Sequence, residues 1–312
     1  MQRIATFNIN GIRAAHRRGF TCWLQERNCD VIALQEVRAS LEVLPTNAFG
    51  PYYTAYNPGT LPGRNGVAIL TKQPPEDVRT WNLTHPATIF TPNNGEADSY
   101  PTPQRESSPT HLARELKKFI HEGRWIEVDL AEAPITVISL YVPKGGLPAE
   151  LQRPGNSREP MDGGAKHLRK MDFLTGLDRQ LTRARRQAKA RGRELLVMGD
   201  FNIAHENWDV TNWRANRRSE GFLPIEREWL SKILSPRKFI DVIRHRHGPT
   251  PGPYSWWSWR GQSFTKDVGW RIDYHLATPK LAETAVNDTT DKDSSPDSRI
   301  SDHCPVIIDY AI

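Results

Sequence analysis

The sequence predicts an α/β fold built around two packed mixed β-sheets. Short apolar runs at 4–7, 31–34, 67–70, 125–130, 135–142, 195–198, 272–277 and 305–310 read as strands, mostly buried and at least eight in number. Helical patterns lie between several of them, which gives a layered arrangement of strands and helices. A simple doubly wound sheet is disfavoured. Asn8, Asn10 and Gly11 follow the first run where a glycine-rich phosphate loop would stand, and several neighbouring runs are close enough to pair as hairpins.

In chain order, the run at 4–7 opens the sequence with no basic start and apolar stretch before it, so no signal peptide is expected. A helical pattern at 20–27 leads to the strand at 31–34. The segment 83–111 is rich in Pro, Thr, Ser and Asn and poor in apolar residues, and is expected to be a mobile surface insertion. The runs at 125–130 and 135–142 follow closely.

A long helix is expected over 166–191, because Leu168, Met171, Leu174, Leu177, Leu181, Ala184 and Ala188 recur at three- or four-residue spacing and Gly192 can end it. Ten Lys or Arg fall between 166 and 193 against Asp172 and Asp178, a surplus of eight that exceeds the +6 of the whole chain. That stretch reads either as a solvated outer face or as a direct nucleic-acid contact. The strand at 195–198 and a helix at 225–234 precede the last two runs. Loops 144–165, 204–222 and 247–268 follow strand ends that carry polar residues, and are expected to form a rim. Candidate site residues come from both ends of the chain, so one domain over 1–312 is expected.

The balance of 42 Lys and Arg against 36 Asp and Glu favours an anionic macromolecular partner without requiring one. Cys22, Cys29 and Cys304 are odd in number and lack metal-type spacing. They indicate neither a disulfide framework nor a zinc site, and fit a reducing cytoplasm. No window approaches eighteen uninterrupted apolar residues, so no spanning helix and no membrane partner are expected.

Four polar fragments at the ends of apolar runs carry the chemistry: FNING at 7–11, LQE at 34–36, GDFN at 199–202 and SDHCP at 301–305. Asn8, Glu36 and Asp302 could converge with water on one cation, and oxygen ligands suit Mg²⁺ or Mn²⁺. Taken singly, each also reads as a turn, capping or paired residue. Asp200 is forced to the mouth of its sheet by the run before it, where it can orient and deprotonate a water; Asn202 can hold that water or a phosphate oxygen. Gly199 is expected to let the backbone approach a ligand closely. Asp273 can fix the tautomer of His303 and favour its cationic form, or pair with Arg271 instead. Tyr141 offers a phenol to a transition-state oxygen, or is a core tyrosine.

These fragments, with EGRW at 122–125, YVPKGG at 141–146, GDFNIAHENWD at 199–209, GFLPIERE at 221–228 and VGWRIDYHL at 268–276, stand in the order and approximate spacing of the exonuclease III family of apurinic/apyrimidinic endonucleases. The resemblance runs from Met1 to about Tyr310, within the wider endonuclease, exonuclease and phosphatase superfamily. It implies a four-layered α/β sandwich of the deoxyribonuclease I type. It also implies a magnesium-dependent nuclease that hydrolyses phosphodiesters 5′ to abasic sites and removes nucleotides from 3′ ends of duplex DNA, leaving 3′-hydroxyl and 5′-phosphate ends. Manganese would substitute, and the implied partner is duplex DNA, bound by a monomer.

Position by position, Glu36 resembles the principal metal ligand, with Asn8, Asn10 and Asp302 around it. Asp200 resembles the residue that positions or activates water, with Asn202 its partner. Asp273, His303 and Tyr141 resemble the groups on the scissile phosphate. Trp256, Trp270 and Ile272 resemble the lining of a pocket for a base-free sugar. In the rim loops Trp213 stands with Arg214, Arg217 and Arg218, and rings alternate with cations from Tyr254 to Trp270, a pattern that suits DNA but also admits core aromatics. Asn10 stands where some relatives have Asp, and Ser219 where some have Asn. A phosphatase acting on an inositol phosphate or lipid headgroup is the rival enzyme reading, and a non-catalytic binder of damaged DNA is a third.

Overall fold

The structure, a computed structural model, describes residues 1–61, 63–81, 87–92, 112–153 and 160–312. In chain order its strands are β1 (Gln2–Asn8), β2 (Val31–Gln35), β3 (Tyr53–Asn57), β4 (Val67–Thr71), β5 (Asp77–Arg79), β6 (Thr88–Phe90), β7 (Trp125–Asp129), β8 (Ile135–Tyr141), β9 (Glu194–Asp200), β10 (Ile240–Asp241), β11 (Asp273–Ala277), β12 (Ala285–Thr290) and β13 (Val306–Tyr310). They form a sheet of seven, ordered β12-β13-β1-β2-β4-β3-β6, and a sheet of six, ordered β10-β11-β9-β8-β7-β5. Each sheet has one parallel pair, β1 with β2 and β8 with β9, and the remaining ladders are antiparallel. Both sheets are therefore mixed.

The layering follows from the two-residue period of the strands. Ile4, Val31, Ala33, Val67 and Ile69 of the first sheet pack with Ile126, Val128, Val137, Leu196 and Met198 of the second in a central core. The alternate residues face outward. On the first sheet Ala5, Phe7, Ile32 and Leu34 meet Phe20, Trp23 and Leu24 of α2 (Phe20–Arg27), which follows α1 (Ile12–Arg17). On the second sheet Ile138, Leu140, Leu195 and Val197 meet Phe173, Leu174, Leu177 and Leu181 of α3 (Ala165–Ala190). Two inner sheets and two outer helical layers make the four-layered sandwich. Shorter helices α4 (Trp213–Asn216), α5 (Pro224–Ile233), α6 (Val242–His247) and α7 (Pro279–Ala282) complete the second half.

All eight expected strands are present. Residues 88–90, inside the segment read as an insertion, form an edge strand paired with β3; 83–86 and 93–111 lie outside the described residues. In α3 the exposed Leu168 departs from the expected apolar stripe. The cations of that helix are largely engaged by the protein itself. Arg169 pairs with Glu122, Arg179 with Glu115 and Arg191 with Asp129, while Arg185 donates to the Arg237 carbonyl. This arrangement favours the outer-face reading over a free cationic stripe. Among the described residues no helix is long and apolar enough to cross a membrane.

Candidate active site

Strand parity aims four chemistry-bearing side chains into the space between the sheets. Ile4 is inward on β1, so Thr6 and Asn8 are inward as well; on β9 Leu196 and Met198 lead to Asp200; on β11 Ala277 leads back to His275 and Asp273. Tyr141 itself belongs to the central core at the end of β8. The registers bring these ends together, with Tyr141 opposite Asp200, Asp200 opposite Asp273, and Val306 opposite Thr6. A buried polar floor lies below. Thr6 donates to Gln35 at 3.2 Å, Gln35 to Ser139 at 3.0 Å across the sheets, and Ser139 to the Leu34 carbonyl at 2.8 Å.

Asn8 joins the two halves. Its amide nitrogen donates to Glu36 Oε1 at 2.8 Å and to Asp200 Oδ2 at 2.9 Å, while its oxygen accepts from Asn10 N at 3.1 Å. Asn10 Nδ2 donates to Asp302 Oδ1 at 2.6 Å. Asp200 also accepts from the backbone of Asn202 at 2.8 Å and from its side chain at 3.1 Å, the same amide reaching the Val142 carbonyl at 3.0 Å. His303 Nδ1 lies 2.8 Å from Asp273 Oδ2, which accepts from Ser255 Oγ at 2.6 Å; His303 Nε2 lies 3.9 Å from Asp200. One donor atom each from Glu36, Asp200 and His303 falls within a mutual 4.8 Å.

The backbone holds strain here. Glu36 and Arg38, at φ 52° and 54°, are the described positive-φ residues that are neither Gly, Asn nor Asp. Their conformation is fixed by Gly11 N on Glu36 O, Val37 N on Gly66 O and Arg38 N on Asn65 O. Gly199, at φ 141°, is required for a different reason from the expected one. A Cβ there would stand 1.9 Å from the Leu140 carbonyl, so the close approach is to the neighbouring strand and not to a ligand.

Burial pushes the Asp200 carboxyl up, against the pull of His303 and with repulsion from Asp273 and Glu36. His303 moves up despite its burial, because Asp273 attracts and accepts from the cation, so the imidazole is held protonated. Burial, reinforced by Glu36 and Asp200, pushes the Tyr141 phenol well above its ordinary value. It remains a hydrogen-bond donor, with Arg124 4.9 Å above its ring.

The oxygen donors suit a hard divalent cation. Arg38 gives the geometric test: its guanidinium donates to Glu36 Oε2 and to Asn10 Oδ1 at 2.5 Å, so a cation already sits where these oxygens converge. Asp302, bonded to Asn10, extends the same face.

Beside the acids, Ala204, Val210, Phe222 and Ile272 form an apolar cluster against which Trp213, Trp256 and Trp270 pack. The Trp256 and Trp270 rings meet edge to face with centroids 6.5 Å apart, and Trp256 Nε1 donates to Asp302 Oδ2 at 3.1 Å. Arg217 and Arg218 are exposed after α4, outside this cluster. Trp257 and Phe264 form a core with Cys304 instead, so for them the core reading holds. Asp273 pairs with His303, while Arg271 binds Asp209 and Asp241. Sequence reasoning missed Arg38, Ser255, Phe222 and Val210; only Arg38, two residues after Glu36, offered a local signal.

The family model described as Endonuclease/Exonuclease/phosphatase family matches residues 5–303. The chain is 27% identical over 308 residues to an exodeoxyribonuclease of Bacillus subtilis (strain 168), covering 97% of each protein. It is 25% identical over 321 residues to the DNA repair nuclease APEX1 of Danio rerio, covering 99% of this chain and 82% of that protein. An AP endonuclease structure from Archaeoglobus fulgidus superposes with a TM-score of 0.71 at 27% identity, covering 100% of both chains.

Proposed function

The chain belongs to the Endonuclease/Exonuclease/phosphatase family, and from that premise we infer that it is a metal-dependent DNA-repair nuclease of the exonuclease III type. It hydrolyses the backbone 5′ to abasic sites and removes nucleotides from 3′ ends of duplex DNA, leaving 3′-hydroxyl and 5′-phosphate ends. The observation that carries this reading is the meeting of Glu36, Asp200 and His303 within 4.8 Å, beside an apolar wall of Trp256, Trp270 and Ile272. The acids suit a phosphodiester, and the wall suits a sugar that has lost its base. A soluble inositol phosphate has little use for such a wall, and the family's nuclease relatives favour the nuclease over a lipid phosphatase.

In this reading Glu36, Asp302 and the Asn10 amide oxygen would hold Mg²⁺, with Mn²⁺ able to replace it. Asn8, placed with the metal residues by the sequence, has its oxygen on Asn10 N and ties the carboxylates of Glu36 and Asp200 together through its amide nitrogen. When bound, the ion supplies positive charge against the phosphoryl oxygens. Asp200 orients the attacking water and receives its proton, a task suited to a carboxylate whose proton affinity is raised by burial. Asn202 fixes the Asp200 carboxylate through two N–H donors. His303, oriented by Asp273, places an imidazolium beside the phosphoryl oxygen, and the Tyr141 phenol donates there as charge develops. Trp213, Trp256, Trp270 and Ile272 receive the abasic sugar, and Arg217 and Arg218 contact phosphates from the rim. The enzyme acts as a cytoplasmic monomer on duplex DNA.

The test is incubation with a duplex carrying one tetrahydrofuran site, with Mg²⁺ and with chelator, followed by end mapping. Incision 5′ to the analogue with a 3′-hydroxyl, abolished by chelation, is expected. Intact duplex under conditions where a soluble phosphate ester is hydrolysed would overturn the reading.

A further inference from the structure

We propose that Lys170 is a positioning residue for hydrolysis, acting from beneath the site through the backbone of Asn202. The inference rests on the reading of Asp200 and Asn202 as the water-orienting pair. Lys170 lies on α3, in the outer layer, and is wholly buried. Its ammonium uses all three of its donors, on Glu226 Oε1 at 2.6 Å, the Asn202 carbonyl at 2.9 Å and the Lys144 carbonyl at 3.1 Å.

Both carbonyls belong to loops that carry the site. Asn202 has a left-handed backbone, φ 50°, and sets the Asp200 carboxylate with its own N–H and side-chain amide. Lys144 follows Tyr141 and Val142, whose carbonyl accepts the Asn202 amide at 3.0 Å. One buried ammonium therefore clamps the ends of β8 and β9 against each other. Chain packing enforces the clamp, since Gly145, at φ 84°, lies so close to the Lys170 stem that a Cβ would meet its Cδ at 2.6 Å.

Glu226 completes the arrangement at the start of α5. Its second oxygen accepts from Leu223 N at 3.0 Å, and its side chain is as fully buried as that of Lys170. A buried ion pair is weak evidence of net stabilisation, because desolvation offsets the Coulombic gain. What this pair supplies is a fixed point for two loops whose relative position must hold to a fraction of an ångström for in-line attack.

The experiment compares single-turnover incision of a tetrahydrofuran duplex by wild type, Glu226→Gln, the double variant Lys170→Met/Glu226→Gln, and Asn202→Ala, each well below its melting midpoint. The double variant removes both buried charges together and leaves an oxygen for Leu223 N. It is expected to lose on the order of tenfold to a hundredfold in kcat with little change in KM. Glu226→Gln, which keeps both carbonyl bonds, retains most of the rate. A folded double variant with wild-type kcat, or one whose loss lies in KM alone, overturns the proposal. Should the double variant not fold, Lys170→Arg carries the test. It keeps the charge, but its planar fork does not reproduce the three-way geometry. Reduced kcat in the folded Lys170→Arg protein supports the clamp, and unchanged kcat overturns it. Asn202→Ala separates the two claims. If it leaves kcat intact, the reading of Asp200 and Asn202 fails; if it lowers kcat while the Lys170 variants do not, only the clamp fails.

Discussion

Arg271 and Asp273 are two residues apart, yet they belong to buried charge clusters of opposite design. Around Arg271 every acid is closed. Asp209 accepts from Arg271 and Arg244 and from the backbone of Glu206, and Asp241 accepts from both ends of the Arg271 fork and from Arg244 N. Around Asp273 the acids are in excess. Glu36, Asp200, Asp273 and Asp302 face His303 and Arg38, and Asp273 Oδ1 is buried without a hydrogen-bond partner among the described residues. The first cluster is closed on itself, whereas the second leaves carboxylates in excess of cations, as the proposed metal site requires.

The contrast breaks most visibly at the acids. Asp200→Asn and Glu36→Gln are each expected to lower kcat on the order of a thousandfold. Their urea midpoints should stay level or rise, because each removes repulsion from a crowded site. Rate assays paired with denaturation curves check this, and a loss of stability matching the loss of rate would count against an open cluster.

Arg271→Met should behave in the opposite sense. Leaving Asp241 buried without its cation, and Asp209 with Arg244 alone, is expected to cost about 3–5 kcal/mol of stability, read from the same curves. A near-neutral effect would remove the distinction between the clusters.

Acid titration sharpens it further. Against burial, Arg271 and then Arg244 hold the Asp209 carboxyl down to about 2, from an ordinary 3.8. The unfolded chain therefore binds more protons between those values. The stability this group provides is complete above 3.8 and is lost as pH falls towards 2, about 2 kcal/mol in all. Stability measured from pH 5 to pH 2 should contain that decline, and Asp209→Asn should lack it.

The smallest effect is expected at the wall. Trp270→Ala should raise KM for an abasic duplex several-fold, about 1 kcal/mol, with less change on an undamaged 3′ end. Equal effects on both substrates would deny the wall a role in receiving the sugar.

Most of the framework was legible because eight strands are apolar runs, and the acids stand where those runs end. The strands that escaped lack that signature. β3 reads YTAYN, β5 and β6 are three residues long and β10 two, and β12, AVNDTT, is a partly exposed edge. Within the site, Glu36, Asp200 and His303 were readable from position, whereas Ser255 and Lys170 act through contacts with residues 18 and 26 or more positions away that no local pattern encodes. Gly199 teaches the same limit: its need for a glycine was readable, but the Leu140 carbonyl that imposes it was not.

The central claim, that the open cluster is a divalent-cation site anchored on Glu36, is tested most directly by calorimetric titration of Mn²⁺ into the metal-free protein and its Glu36→Gln variant. The expected result is saturable binding by the wild type, weakened at least about tenfold in the variant. Equal binding by both proteins, or none by the wild type, would contradict it.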